Sequence, residues 1–173
     1  MSIKAAMIDE RIRSELTRIA GSRVKFNEPL FRHTWMRVGG PADALIEVCD
    51  ENELGELVRV CRRDAIPILL LGVGANLIVR DGGWRGIVVR LCGDRFTRIE
   101  ISGERVLVGA GASLAALIAE TVSRSLGGLE CLAGVPGTVG GAVRMNAGAR
   151  GVSFGDLVEA ARVMDFDGCA TRV

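Results

Sequence analysis

The sequence has no tyrosine, a single histidine (His33), and aromatic residues at only 4% of its 173 positions. One imidazole excludes a histidine-based metal cluster or proton relay within the chain. Five cysteines are present, Cys49, Cys61, Cys92, Cys131 and Cys169, with no two closer than 12 positions. There is therefore no Cys-x-x-Cys pair for zinc or dithiol chemistry. An odd count also argues against a closed disulfide framework, so a reducing compartment and buried or inert thiols are expected. Excess charge of either sign is missing too: 22 basic residues face 21 acidic ones, for a net charge of +1. No long-range field draws a nucleic acid or an anionic membrane, and neither is expected as a partner. Long apolar runs are likewise absent. The greasiest segment, Ile66 to Val79, is interrupted by Pro67, Gly72, Gly74 and Asn76 and is too short to span a bilayer. The opening Met1-Ser2-Ile3-Lys4 leads into a charged stretch without the apolar centre of a signal peptide. A cytoplasmic protein is expected.

What is present describes a globular chain: 49% hydrophobic and 25% charged residues. Its length allows one ordinary domain or two small lobes sharing a core. Ile8, Ile12, Leu16 and Ile19 fall on one helical face, and Gly21 is a plausible stop. Ala44 to Val48 has strand composition. Asp50 can cap a helix whose Leu54, Leu57, Val58 and Cys61 repeat at helical spacing, with Glu53 closing a capping box. Pro67 to Leu71 has the composition of a buried strand. Leu77–Val79 and Gly86–Leu91 are β-rich on either side of the turn signal Asp81-Gly82-Gly83. Phe96–Ile101 and Arg105–Val108 predict a hairpin across Ser102-Gly103-Glu104. Ser113 can cap a helix with the face Leu114, Leu117, Ile118, Thr121 and Val122, ended by Gly127-Gly128. Leu157 to Phe166 is the last strand candidate, before the turn signal Asp167-Gly168. The sequence stops five residues after that turn, which leaves one hairpin arm a stub and predicts a missing C-terminal part.

The 23 glycines carry the functional signal. Gly72-Val73-Gly74-Ala75-Asn76 follows an apolar strand. Glycine lets the backbone take positive φ and lets a ligand approach, and successive N–H groups can then nest phosphate oxygens without Lys or Arg. A plain tight turn is the competing reading. Gly109-Ala110-Gly111 echoes this loop between a strand and a helix. Leu114, like Leu77 in the first loop, stands where a dinucleotide fingerprint needs Gly or Ala, so a Rossmann fold is disfavoured and a close strand-to-helix turn is preferred. The densest cluster runs from Gly134 through Val135, Pro136, Gly137, Thr138, Val139, Gly140 and Gly141 to Val143, followed by Asn146-Ala147-Gly148. So many small residues in apolar company point to a ligand-facing role. Two such loops could grip an extended dinucleotide at two points, and a side chain placed at Gly74 or Gly137 would block its approach. His33 and the tryptophans Trp35 and Trp84 flank glycine loops, with packing the preferred role for all three. Arg59, Arg62 and Arg63 form a basic helix end, expected to be solvated.

Three blocks carry a resemblance. Asn27-Glu28-Pro29-Leu30 through Arg37-Val38-Gly39-Gly40-Pro41-Ala42-Asp43 resembles the opening of the UDP-N-acetylenolpyruvoylglucosamine reductase family. Gly72 to Gly83 is similar to that family's first flavin loop, and Gly128 to Ala149 to its second. The resemblance implies an α+β fold of the p-cresol methylhydroxylase type, with two small α+β lobes clasping FAD. It divides the chain into a leading helix (1–22), a first FAD-binding lobe (23–91) and a second, incomplete lobe (92–173), with no substrate domain. It implies that Gly72, Val73, Gly74, Ala75, Asn76 and Leu77 hold the pyrophosphate. Val135, Pro136, Gly137, Thr138, Gly140 and Gly141, with Asn146, Ala147 and Gly148, would line the rest of the flavin. Full-length relatives pass a hydride from NADPH through FAD to UDP-N-acetylglucosamine enolpyruvate, a step of peptidoglycan synthesis. The family's catalytic Arg, Ser and Glu match no position here, and Arg144 lies within the flavin block instead. A non-catalytic flavin-binding module, another flavin oxidoreductase of the same fold, or a nucleotide-binding protein without flavin are the alternatives.

Overall fold

A central sheet forms where the apolar runs are densest, because residues 42–48 and 86–91 cannot be covered on one face alone. The computed structural model describes residues 8–149 and 151–173; the expectation for the opening Met1-Ser2-Ile3-Lys4 lies outside them. The sheet has the strand order β1 (Val24–Pro29), β2 (Pro41–Val48), β4 (Trp84–Leu91), β3 (Ile68–Leu70). β1 runs antiparallel to β2, while β2, β4 and β3 are mutually parallel. Parallel strands need both faces covered, and both are. Ala44, Ile46, Val48, Ile87 and Val89 face one apolar cluster. Ala42, Leu45 and Val88 face another, with Leu30, Leu71 and Val79. A register shift between Ala42 and Ala44 puts Ala42 on the same side as Leu45, against strict alternation.

Helices α1 (Glu10–Ala20) and α2 (Glu51–Arg63) cover the first face. Asp9 caps α1 by accepting from the Ile12 amide at 2.8 Å, and Gly21, at φ 57°, closes it as expected. Ile12, Leu16 and Ile19 are buried, and Ile8 packs beside them. Each such side chain stabilises the fold by about 1.5–3 kcal/mol. Asp50 caps α2 by accepting from the amides of Asn52 and Glu53. The Glu53 carboxylate reaches back one residue further than a capping box requires, to the Cys49 amide at 2.9 Å. The stripe of α2 is rotated from the expected one: Leu57, Val60 and Cys61 are buried, whereas Leu54 and Val58 are only partly so. Gly55 is buried as well, because the turn at Gly168 rests on it. A Cβ at Gly55 would lie 2.9 Å from the Gly168 carbonyl oxygen.

Further along the chain come α3 (Gly93–Thr97), β5 (Ile99–Ser102), β6 (Arg105–Val108), α4 (Leu114–Ser123) and α5 (Val139–Met145). They are followed by β7 (Gly148–Ala149), β8 (Val152–Ser153), β9 (Arg162–Met164) and β10 (Ala170–Arg172). A separate apolar cluster, including Leu114, Leu117, Ile118, Leu132, Val139, Ala142 and Phe154, holds most of this half together.

Several expectations are corrected. Pro67–Leu71 is not a buried strand: β3 is three residues at the sheet edge, and Leu70 is 63% exposed. Residues 77–80 form no strand, since their backbone leaves the sheet. Phe96 sits in α3, so the predicted hairpin begins only at Ile99. α4 ends at Ser123, before Gly127-Gly128, because Ser125 takes φ 59° and the Leu126 amide folds back to the Thr121 carbonyl. Val122 is exposed. The last strand candidate shortens to β9, and β10 pairs with it through Thr171↔Val163, so both arms of that hairpin are present. Trp35 is 63% exposed and not packed in a core. Trp84 does pack against an apolar cluster, with its indole nitrogen buried and unpartnered. Of the cysteines only Cys61 is buried; burial pushes its thiol up to about 12, which makes it inert.

Candidate functional site

The first glycine loop leaves the sheet where the Leu71 amide donates to the Val89 carbonyl at 2.8 Å. Beyond that point, none of the amides of Gly72, Val73, Gly74, Ala75 and Asn76 donates to a protein acceptor among the described residues. Five successive free N–H groups at the end of a strand form an anion-seeking surface. The loop is pinned from outside by the 30–37 segment: the Trp35 amide donates to the Gly74 carbonyl at 3.0 Å. Gly74 has φ 68°, and a Cβ there would sit 2.3 Å from the His33 carbonyl oxygen. It is glycine because the protein's own backbone crosses it, irrespective of any ligand. Leu77 turns back into an apolar cluster, while Val73 and Asn76 face outward.

The second loop is built on the turn at Gly109–Ser113. The Gly140 amide donates to the Ala110 carbonyl at 2.7 Å, the Val139 amide to Ala112 at 2.9 Å, and the Leu114 amide to the Gly137 carbonyl at 3.0 Å. Gly109 and Gly111 would clash with the carbonyl oxygens of Phe96 and Leu91 if given a Cβ, at 2.2 and 2.5 Å. The echo of the first loop is thus a platform for the second loop, in line with the preferred reading of a close turn. Thr138 caps α5 by accepting from the Gly141 amide at 3.3 Å. Val135 packs into the second-half core, Pro136 is exposed, and the amides of Gly137 and Thr138 meet no protein acceptor among the described residues. A Cβ on Gly137 would meet nothing within 4 Å.

The two loops meet. A Cβ on Gly72 would lie 2.7 Å from Thr138 Oγ1, so the free amides of 72–76 and of 137–138 belong to one neighbourhood. Asn146, Ala147 and Gly148 are placed differently. Asn146 ends α5 at φ 45°, and its Oδ1 accepts from the Gly155 amide at 2.9 Å. The Ala147 carbonyl accepts from Phe154, and Gly148 pairs with Ser153. Asn146 Oδ1 and the Ala147 carbonyl thereby hold residues 146–149 against 152–155.

A cavity of about 520 Å³ opens beside the first loop, lined by Gly72, Val73, Trp35, His33, Thr34 and three arginines, Arg32, Arg37 and Arg90. No carboxylate lines it. His33 pairs with Glu28 at 2.8 Å, which fixes its ring at the cavity wall. The sequence reading missed the arginines. Arg90 could have been found from strand alternation, since it shares a β4 face with Val88. Arg32 and Arg37 lie 35 or more positions from the glycine loop, and nothing local points them there. Arg62 and Arg63 are exposed and pair with Asp167, and with Glu15 and Asp64, as expected of a solvated helix end. No group of three or more metal-ligating side chains occurs among the described residues, nor is any described helix long and apolar enough to cross a membrane.

A family model described as "FAD binding domain" matches residues 42–173. The chain is 47% identical over 164 residues to UDP-N-acetylenolpyruvoylglucosamine reductase 2 of Symbiobacterium thermophilum, covering 95% of this chain and 52% of that protein. It is 48% identical over 157 residues to the corresponding reductase of Syntrophus aciditrophicus, covering 89% and 50%. The chain therefore spans about half the length of the curated relatives it matches. Among solved structures, the UDP-N-acetylenolpyruvylglucosamine reductase of Thermus caldophilus superposes with a TM-score of 0.71 at 37% identity, over 87% of this chain and 51% of that one. Substrate-bound p-cresol methylhydroxylase superposes at 0.60 with 17% identity, over 92% of this chain and 34% of that one. The second likeness speaks for the fold alone, and the α+β fold of that type is the one present.

Proposed function

Since the chain belongs to the FAD binding domain family, we propose that it is the FAD-binding portion of an NADPH-dependent reductase that converts UDP-N-acetylglucosamine enolpyruvate to UDP-N-acetylmuramate in peptidoglycan synthesis. The observation that carries the reading is the meeting of the two glycine loops at Gly72 and Thr138, with free amides on both sides of the contact. A diphosphate needs several donors converging on one point, and main-chain N–H groups supply them without side-chain rotamer entropy. The residues fit the cofactor in two respects. Gly137 leaves open the volume a Cβ would take, and the neighbouring cavity is lined by three arginines, of which Arg90 also pairs with Glu47 at 3.7 Å.

In this reading the amides of Gly72 to Asn76 and of Gly137 and Thr138 bind phosphate oxygens. Val135, Pro136, Gly140 and Gly141 shape the wall beside them, and Leu77 and Asn146 to Gly148 hold the loops in position. Bound FAD supplies the hydride relay between NADPH and the enolpyruvyl ether. The chain's own residues bind and orient the cofactor. We place the first lobe at 23–91, preceded by the leading helix, and the second at 92–173. The segregation of the apolar clusters supports this division, with Phe96 the one residue among those described that crosses it. A cytoplasmic location follows from the substrate and the reductant.

The test is to purify the chain, strip any flavin and titrate with FAD. Saturable binding near one equivalent, with a flavin spectrum, is expected. No binding by a chain whose circular dichroism is folded would overturn the proposal. A second reading is a flavin-binding module without catalysis. It predicts bound FAD that NADPH and the UDP-sugar together do not turn over.

A further inference from the structure

The parallel strands β2 and β4 end side by side, and each is followed at once by a cysteine. Val48 is in register with Leu91, and the Cys92 amide donates to the Val48 carbonyl at 2.8 Å. The two sulfur atoms, Cys49 Sγ and Cys92 Sγ, lie 3.2 Å apart. Neighbouring strands are spaced about 4.8 Å apart, within the Cα separation of about 4.4–6.8 Å that a disulfide spans. Gly93, at φ 71°, keeps the space beside Cys49 clear, since a Cβ there would lie 3.0 Å from the Cys49 Cβ. Cys49 is also held from behind. Its amide donates to Glu53, and Glu53 is paired with the Arg23 guanidinium, which donates to the Glu47 carbonyl as well.

We propose that Cys49 and Cys92 form a thiol-oxidation site, closed to a disulfide by a low-molecular-weight disulfide. Cys49 gives its proton to solvent and its sulfur attacks one sulfur of the oxidant, expelling one thiolate, which takes up a proton from solvent. Cys92 Sγ then attacks Cys49 Sγ of the mixed disulfide, expelling the second, and its proton leaves with that thiol. The oxidant gains two electrons and two protons, and the cysteines lose them. Burial, then the hydrogen bond with Cys49, pushes the Cys92 thiol up to about 12, so Cys92 is the poorer first attacker, and in the second step its closeness to the Cys49 sulfur offsets its small thiolate fraction. The bond would close a loop running from β2 to β4 that contains the whole first glycine loop.

The experiment treats the purified chain with glutathione disulfide and counts free thiols by maleimide labelling and mass. The expected result is a fall from five thiols to three, a mass loss of about 2 Da, and a proteolytic peptide joining Cys49 to Cys92. The melting temperature rises by about 10 °C, reversibly with dithiothreitol. Cys169→Ser preserves all of this; Cys92→Ser abolishes the cross-link. The proposal is overturned if Cys49 and Cys92 stay free while exposed Cys169 becomes glutathionylated. It is overturned equally if cross-linked peptides from the wild-type chain map to other pairs.

Discussion

Gly137 and Gly74 separate the cost of losing a ligand from the cost of losing the fold. Gly137→Ala adds a methyl where nothing lies within 4 Å, at a backbone angle open to any residue. The unfolded chain loses freedom, so stability should hold or rise by about 0.4–1 kcal/mol. If the free Gly137 amide faces a phosphate oxygen, the methyl forces the ligand back from it. A hydrogen bond to a charged group is worth about 1.5–3 kcal/mol, so affinity for FAD should fall by roughly 10- to 150-fold. Gly74→Ala behaves otherwise. Its Cβ meets the His33 carbonyl oxygen at 2.3 Å, with φ at 68°. The left-handed backbone costs about 1–2 kcal/mol and the overlap another 1–3 kcal/mol. Gly74→Ala should therefore lower the melting temperature and lose FAD as a consequence. The expectation that both glycines make way for the ligand is therefore put to the test at Gly137, where no part of the protein claims the space, and not at Gly74. The assay pairs thermal unfolding with titration of flavin fluorescence for each variant. A Gly137→Ala chain of unchanged melting temperature that binds FAD within twofold of wild type would refute the reasoning.

Two further outcomes concern stability. Glu53 is held below the usual carboxylate range by its hydrogen bonds to Arg23, with the Cys49 amide assisting. A lowered carboxylate stabilises above its unfolded pKa, about 4.3, and that contribution disappears as pH falls through the lower folded value. Glu53→Gln should cost on the order of 1–2 kcal/mol at pH 7, after allowing for partial solvent screening, and almost nothing near pH 2, by urea unfolding at both pH values. Asn146→Ala removes the acceptor for the Gly155 amide and places alanine at φ 45°. A loss of about 2–3 kcal/mol by the same measurement is expected, with Asn146→Gly recovering the backbone part only.

The helices were legible in the sequence because their signals are local. Asp50 and Ser113 cap where expected, and Leu114, Leu117, Ile118 and Thr121 make the buried face of α4. What was missed depends on contacts far along the chain. Gly55 on α2 is buried beneath a turn more than 100 residues away, on the side of the helix away from Leu57 and Val60, which no helical periodicity encodes. β3 has a buried strand's composition yet is an edge, since sheet order is fixed by which strands pair and not by their hydrophobicity. Within the site, both glycine loops were visible as composition. Their contact at Thr138, and the arginines of the 30–37 segment and β4, were not, because proximity across the fold leaves no spacing in the sequence.

The seat of Gly168 on Gly55 has a mechanical consequence. Main chain rests on main chain there: a Cβ on Gly168 would stand 2.6 Å from the Gly55 carbonyl oxygen. Arg62–Asp167 and Arg162–Glu51 brace the same joint from either side. The β9–β10 ribbon thereby straps the later half of the molecule to α2. Such a brace resists shear between the halves, so the spacing of the loops proposed to grip a nucleotide rests partly on two glycines outside them.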